Sequence, residues 1–228
     1  MSNKILKVTL LVFFALVATG CSEGPRDRDE AADFDHSAMR SSISVPDNAA
    51  IEPSLPSTLE EYRNYGQQLA MQTQMELGSN LKRALQEGDA PGAVGFCNIR
   101  AEAIANEMSL KLGAKISRAS DRPRNPNNQA SPAELEVLDQ FRSSLKAGEK
   151  PIPSVTEQAN SMIGYYPILT NGMCLQCHGS PDRDIATTTL SVIRAAYPHD
   201  QATGYRAEQL RGMFVVRMKK ADGRTEAQ

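Results

Sequence analysis

Cys174-Leu175-Gln176-Cys177-His178 is the stretch of this chain whose residue types and spacing could do chemistry most directly. Two thiols three positions apart with an imidazole beside the second form the C-x-x-C-H signature of covalent haem attachment. Each thiol can add across one of a porphyrin's two vinyl groups, and the adjacent His then lies under the iron as proximal ligand. The expected ligand atom is Nε2, with Nδ1–H held by a backbone carbonyl. Two other chemistries compete for these residues. A thioredoxin-like dithiol would open a helix after a strand in a βαβ unit, and no such unit surrounds the motif. A structural zinc needs four ligands. Cys97, Cys174, Cys177 and His178 could supply four, but adjacent residues such as Cys177 and His178 rarely both chelate one tetrahedral ion. There is one such motif, so one haem c is expected.

A sixth ligand for the iron has several candidates. Cys97 lies in a helical pattern where Ala101, Ile104 and Met108 follow at steps of four, three and four, so it projects from an apolar stripe. Most free cysteines are buried and inert. An unpaired thiol in an exported protein is unusual, however, and ligation to iron would deprotonate and shield it. Met is the commoner distal ligand in cytochromes c. Of nine methionines, Met108, Met162, Met173 and Met213 are candidates. His199 is another, in a polar Pro-His-Asp turn. Haem propionates need Arg, Lys, Tyr or Asn donors. Arg118, Arg122 and Arg124 cluster before the motif, and Arg206 and Arg211 follow it. Arg124 and Asn125 are the preferred donors, because the Asn125-Pro126-Asn127 turn would hold them rigidly. The competing account is that Asn125 and Asn127 only cap that turn. Phe96, Pro167, Ile168, Leu169 and Tyr197 are candidate pocket walls.

The first segment is an address. Lys4 and Lys7 precede and punctuate an apolar run from Ile5 to Val17, too short for a comfortable membrane span. Residues 1–20 therefore read as a signal peptide. The run ends in Ala18-Thr19-Gly20-Cys21, which resembles a bacterial lipobox and implies acylation of Cys21. Ser22 in place of Asp favours the outer membrane over the inner. Residues 21–56 are rich in Ser, Asp, Glu, Arg, Ala and Pro. They bury too little apolar surface to offset their ordering entropy, and read as a flexible lipid-anchored tether carrying a solvated His36.

Residues 57–228 hold the folded part. Ser57 and Glu60 form a capping-box pair ahead of a stripe of Leu59, Tyr62, Gly66, Leu69, Thr73, Leu77, Leu81 and Ala84, predicting one long helix closed by Gly88. A second helix is predicted from Pro91 to Leu112, stopping at Gly113. Ala114 to Ser120 is β-like, and Asp121 to Ala130 is a turn-rich loop. Ser131-Pro132-Ala133-Glu134 starts a third helix that ends near Gly148. Tyr165 to Leu169 predicts a strand whose Pro167 places it at an edge. Asp184 to Ala196 is predicted helical and Met213 to Met218 is the last strand. Helices first and strands later give an α+β class.

Composition narrows the function classes. The formal net charge is −2, aromatics are 5% and Trp is absent, so neither a basic surface nor stacking platforms point to nucleic acid. No Ser–His–Asp set, Gly-rich phosphate loop or metal–carboxylate cluster is present.

From about Thr58 to Lys219 the chain resembles the Tll-like haem c domain family, a PAS-like family catalogued as a domain of unknown function. The likeness is carried by Phe96-Cys97 with its Ala-Ile-Ala helix and by Ile116-Ser-Arg-Ala-Ser-Asp-Arg-Pro-Arg-Asn-Pro-Asn-Asn. Tyr166-Pro-Ile through Cys174-Leu-Gln-Cys-His-Gly, Tyr197-Pro-His-Asp-Gln-Ala-Thr-Gly-Tyr and Arg211-Gly-Met-Phe complete it. Ala119 stands where the family often has Thr. The resemblance implies an α+β PAS-like domain with a small antiparallel sheet and flanking helices, preceded by a long N-terminal helix. It also implies iron held between His178 and Cys97. An anionic sulfur ligand favours Fe(III) and lowers the reduction potential, so a six-coordinate low-spin ferric haem of negative potential is expected. The functional expectation is an exported c-type cytochrome in electron transfer or redox poise, periplasmic, anchored through lipid to the outer membrane, with a separate redox partner and no nucleic acid. The alternative is a haem-based redox or gas sensor acting through a separate partner. A peroxidase-like enzyme would need an open iron site and a distal acid or base. Neither is found, and no enzymatic role is expected.

Overall fold

The computed structural model of the chain describes residues 56–221. The signal peptide, Cys21, His36 and nearly all of the tether lie outside the described residues. Helix α1 runs Leu59–Leu112 and is interrupted by non-helical Gly88 (φ −145°, ψ 20°) and Asp89 (φ 54°, ψ −169°). Two helical segments therefore meet at the predicted break, with Pro91 in the first turn of the second. The N-terminal cap falls one residue later than the sequence suggested. Glu61 N–H donates to Thr58 Oγ1 (3.2 Å), and Glu61 Oε2 accepts from Ser57 N–H, Ser57 Oγ–H and Thr58 N–H. Two overlapping Ser/Thr-x-x-Glu frames compete there. The one ending at Glu61 prevails because its carboxylate satisfies three donors at once. These bonds hold the Glu61 carboxyl below its ordinary value of 4.5.

Strand β1 (Lys115–Ala119) leaves α1 through Gly113, whose φ of 64° is the left-handed cap glycine adopts freely. Helix α2 is Pro132–Lys146, with Ser131 and Glu134 forming its capping box as the sequence predicted. Next come β2 (Ser154–Gln158), β3 (Ser161–Leu169), the short helix α3 (Leu175–His178), α4 (Thr187–Ala196) and β4 (Leu210–Lys219). The sheet is antiparallel throughout, in the order β1-β4-β3-β2.

The structure adds one strand and changes one sequence expectation here. Strand β2 had no strong period-2 signal, yet it pairs with β3 from Ser154↔Tyr165 to Gln158↔Ser161. Strand β3 is consequently interior rather than an edge. Pro167 is tolerated because β2 ends opposite Tyr165, leaving that stretch of β3 paired only with β4, through Pro167↔Met213.

Alternation along the strands splits the sheet's two faces. Ile116, Met162, Tyr166, Phe214, Val216 and Met218 face α1 and pack with Tyr62, Leu69 and Ala70. Ile163, Tyr165, Met213 and Val215 face the other way, onto Val137, Leu138 and Phe141 of α2. Gly66 of the predicted stripe is a packing requirement, since a Cβ there would lie 2.0 Å from Tyr166 Oη. That phenol instead donates to the carbonyl of Arg63 (3.1 Å). The result is the predicted α+β, PAS-like domain, with a small antiparallel sheet and a long N-terminal helix laid across one face.

Candidate functional site

The five-residue motif sits where β3 runs out. Thr170 is buried, with its hydroxyl bonded to Arg206 O and accepting from Gln209 N–H (3.0 Å), which fixes the segment to the chain entering β4. Asn171 then caps the next turn, its Oδ1 accepting from Cys174 N–H and Cys174 Sγ–H, both at 3.2 Å. Cys174, Cys177 and His178 follow on this turn and α3. Gly179 closes it where no other residue fits, because a Cβ would meet Asp184 Cβ at 2.5 Å and Leu175 O at 2.6 Å.

His178 is held from the Tyr197–Tyr205 loop. Its Nδ1 lies 2.7 Å from Ala202 O. A carbonyl only accepts, so Nδ1 carries the proton and Nε2 keeps its lone pair. Burial lowers the His178 pKa well below 6.5, with Arg124, Arg211 and Arg118 adding to the effect, so the ring is neutral. Tyr205 packs edge-on to the imidazole (6.4 Å between centroids), and its N–H donates to His178 O at 2.9 Å.

Arg124 connects these parts. Its guanidinium donates to Cys177 O (2.6 Å) and makes a two-point pair with Asp200 (3.1 and 3.2 Å). The two side chains are only 12% and 8% exposed. Asp200 Oδ1 in turn accepts from Ala202 N–H at 2.8 Å. One ion pair thus positions both the motif backbone and the carbonyl that orients His178. Asn125 does what the competing account said, with its Oδ1 accepting from Asn127 N–H (3.0 Å) as the cap of a single turn. Its amide also donates to Glu102 on α1 at 3.4 Å, tying the loop to the helix that carries Cys97.

The second segment of α1 brings Cys97 to the same place. Burial raises the Cys97 thiol, while Arg118 and Arg124 oppose that rise. Cys177 is raised by burial too, with Arg124 opposing and the Cys97 thiol adding to it. Val94 from the same segment packs with Ile185 and Ile193, and Cys177, Leu190 and Tyr197 close around them. The remaining ligand candidates are in the core or at the surface. Met162 and Met213 are core residues on opposite faces of the sheet, Met108 is buried beside Ile104, and Met173 is 43% exposed. His199 is on the surface, and Leu169, a candidate pocket wall, is also exposed. Among the described residues no three Cys, His, Asp or Glu side chains form a cluster that could hold a metal ion. The antiparallel sheet gives the thioredoxin reading no βαβ unit.

Haem c asks for two thiols on one turn, a neutral imidazole with Nε2 free, an apolar wall and a cationic donor for a carboxylate. The residues present fit each requirement, and none of the three described cysteines is in a disulfide. Asp200, Ala202, Asn171 and Tyr205 were not among the residues picked out from sequence. Asp200 and Tyr205 carried some signal, as parts of the Tyr197–Tyr205 stretch that bears the family likeness. Asn171 and Ala202 also lie in stretches that bear the likeness, but Ala202 acts through its backbone, so its side chain gave no reason to single it out.

Fold and site together define a PAS-like domain built around a C-x-x-C-H turn. A family model described as Tll0287-like matches residues 26–219, and the chain belongs to that family. No curated protein matches. Among solved structures, the chain is similar to one titled as the crystal structure of the cyanobacterial heme-protein Tll0287. Identity is 23% and the TM-score 0.50, over 72% of this chain and 95% of that one. At that identity the likeness establishes the shared fold.

Proposed function

We propose that this protein is an exported c-type cytochrome that holds one covalent haem and serves in electron transfer or redox poise. Haem supplies a one-electron Fe(III)/Fe(II) couple. Cys174 and Cys177 would each add S–H across a vinyl group, forming an S–C bond while the hydrogen goes to the neighbouring carbon. His178 would ligate through Nε2 and Cys97 through its thiolate sulfur. The observation that carries this reading is the Nδ1–Ala202 bond, which leaves Nε2 of the motif His unprotonated, next to a Cys177 thiol that feels the Cys97 thiol. Membership of the Tll0287-like family, and the description of its solved relative as a heme protein, support it. The proposal includes lipid anchoring at Cys21, a periplasmic outer-membrane location, a separate redox partner and no catalytic turnover.

Protein made in a host able to attach haem should give a pyridine haemochrome spectrum with one haem per chain. Cys97→Ala should keep the attached haem, alter the Soret and ferric magnetic spectra, and raise the reduction potential. Colourless wild-type protein would end the haem reading, and a Cys97→Ala protein with unchanged spectrum and potential would end the thiolate assignment.

A sensing role is the second reading. It draws on the non-helical joint at Gly88–Asp89, beyond which the Cys97 segment begins. Carbon monoxide displacing Cys97 from reduced protein, with a measurable change in α1, would favour it.

A further inference from the structure

Four arginines surround this site: Arg118, Arg124 and Arg211 act on His178 or Cys97, and Arg122 lies over the Tyr205 ring that packs against His178. Three have their guanidinium groups engaged. Arg124 holds Asp200 and Cys177 O. Arg122 donates to Gln201 O and Thr203 O and lies 4.5 Å from the centre of the Tyr205 ring. Arg211 donates to Ser120 Oγ and Arg122 O. Arg118 makes no hydrogen bond or ion pair with any described residue, although it is half-buried. Strand alternation places it with Ile116 on the α1 face, the side from which Cys97 arrives. Within the cluster the buried carboxylate is Asp200, already committed to Arg124. Glu102 lies near Arg118 but is exposed and receives the Asn125 and Asn127 amides. A second donor in the cluster is also unfilled, since buried Tyr205 Oη has no partner among the described residues.

Unpaired cations and donors withdrawn from water cost free energy unless an anion completes them. Burial lowers the Arg118 pKa, as expected for a cation lacking that anion. We propose that Arg118 receives a haem propionate and that its charge raises the reduction potential of the thiolate-ligated iron. This rests on the haem reading above and proposes a different donor from the one preferred from sequence, since Arg124 is engaged in positioning the motif and the Ala202 loop. A cation near the iron favours the less positive oxidation state, so it would partly offset the effect of an anionic sulfur ligand.

The test uses holoprotein. Haem content comes from the haemochrome spectrum, the propionate-bending band from resonance Raman, and the potential from equilibrium titration. Arg118→Leu should retain attached haem, shift the propionate band and lower the potential. Arg118→Lys should restore most of the potential, but not the band position, because an ammonium lacks the planar fork. A wild-type band and potential in Arg118→Leu would overturn the proposal. Should that variant fail to accumulate, an unmoved band in Arg118→Lys would overturn it equally. Wild-type protein without haem would instead defeat the underlying reading, a distinct result.

Discussion

Because the carbonyl of Ala202, 2.7 Å from His178 Nδ1, can only accept, the imidazole proton is fixed there and Nε2 is left available. The carbonyl is itself held by the Asp200 carboxylate, through Ala202 N–H, and Asp200 by Arg124. Single side chains far apart in sequence therefore act as one unit. Removing one partner of so buried a pair strands the other charge, at a cost of about 3 kcal/mol or more. Asp200→Ala should destabilise the domain by that order in denaturant titration. Arg124→Leu combined with Asp200→Leu should recover much of the loss, because no charge is then left alone. Equal destabilisation in the single and double variants would show that the pair does not act as a unit.

Among the elements, α1 must both cover the sheet and deliver Cys97, and its break at Gly88–Asp89 separates the two tasks. The first segment is held by Tyr62, Leu69 and the close approach at Gly66. Gly66→Ala drives a methyl into the Tyr166 phenol and should cost about 2 kcal/mol. Tyr166→Phe in that background should restore part of it, since the ring carbon behind the hydroxyl is still only 2.8 Å from the new Cβ. The segment's N-terminus carries a pH-dependent contribution. Glu61 is more acidic folded than unfolded, so its stabilisation is full above the ordinary value of 4.5 and disappears as pH falls through the lower folded value. Thermal midpoints of wild type and Glu61→Gln should differ near neutral pH and converge in acid. A constant difference across that range would show that the capping carboxylate is not the cause.

For the whole molecule, the proposed arrangement is a redox domain at the end of an arm fixed to a membrane. Two or three acyl chains at Cys21 would hold it firmly, since each buried methylene adds about 0.8 kcal/mol. Cys21→Ser should move the protein from the membrane to the soluble periplasmic fraction and abolish labelling by a radioactive fatty acid. The folded domain, judged by its spectrum and thermal midpoint, should be unchanged. Continued membrane retention without label would refute the lipid anchor.

Local order was legible where chemistry is local. The break at Gly88 with Pro91 behind it, the left-handed cap at Gly113, the Ser131–Glu134 capping box and the spacing of Cys174, Cys177 and His178 are all short-range consequences of backbone conformation and reach. Strand β2 was not legible, because Ser154 to Gln158 become a strand only when β3 lies beside them. The cap moved from Ser57 to Thr58 because two overlapping frames satisfy the same local rule, and only the placed Glu61 carboxylate chooses between them. Arg118, Arg122 and Arg124 are alike in sequence, and nothing local says which guanidinium meets Asp200 and which has no partner among the described residues. Tertiary structure decides that, because charge pairing and burial depend on distances between segments some eighty residues apart, such as Arg124 and Asp200.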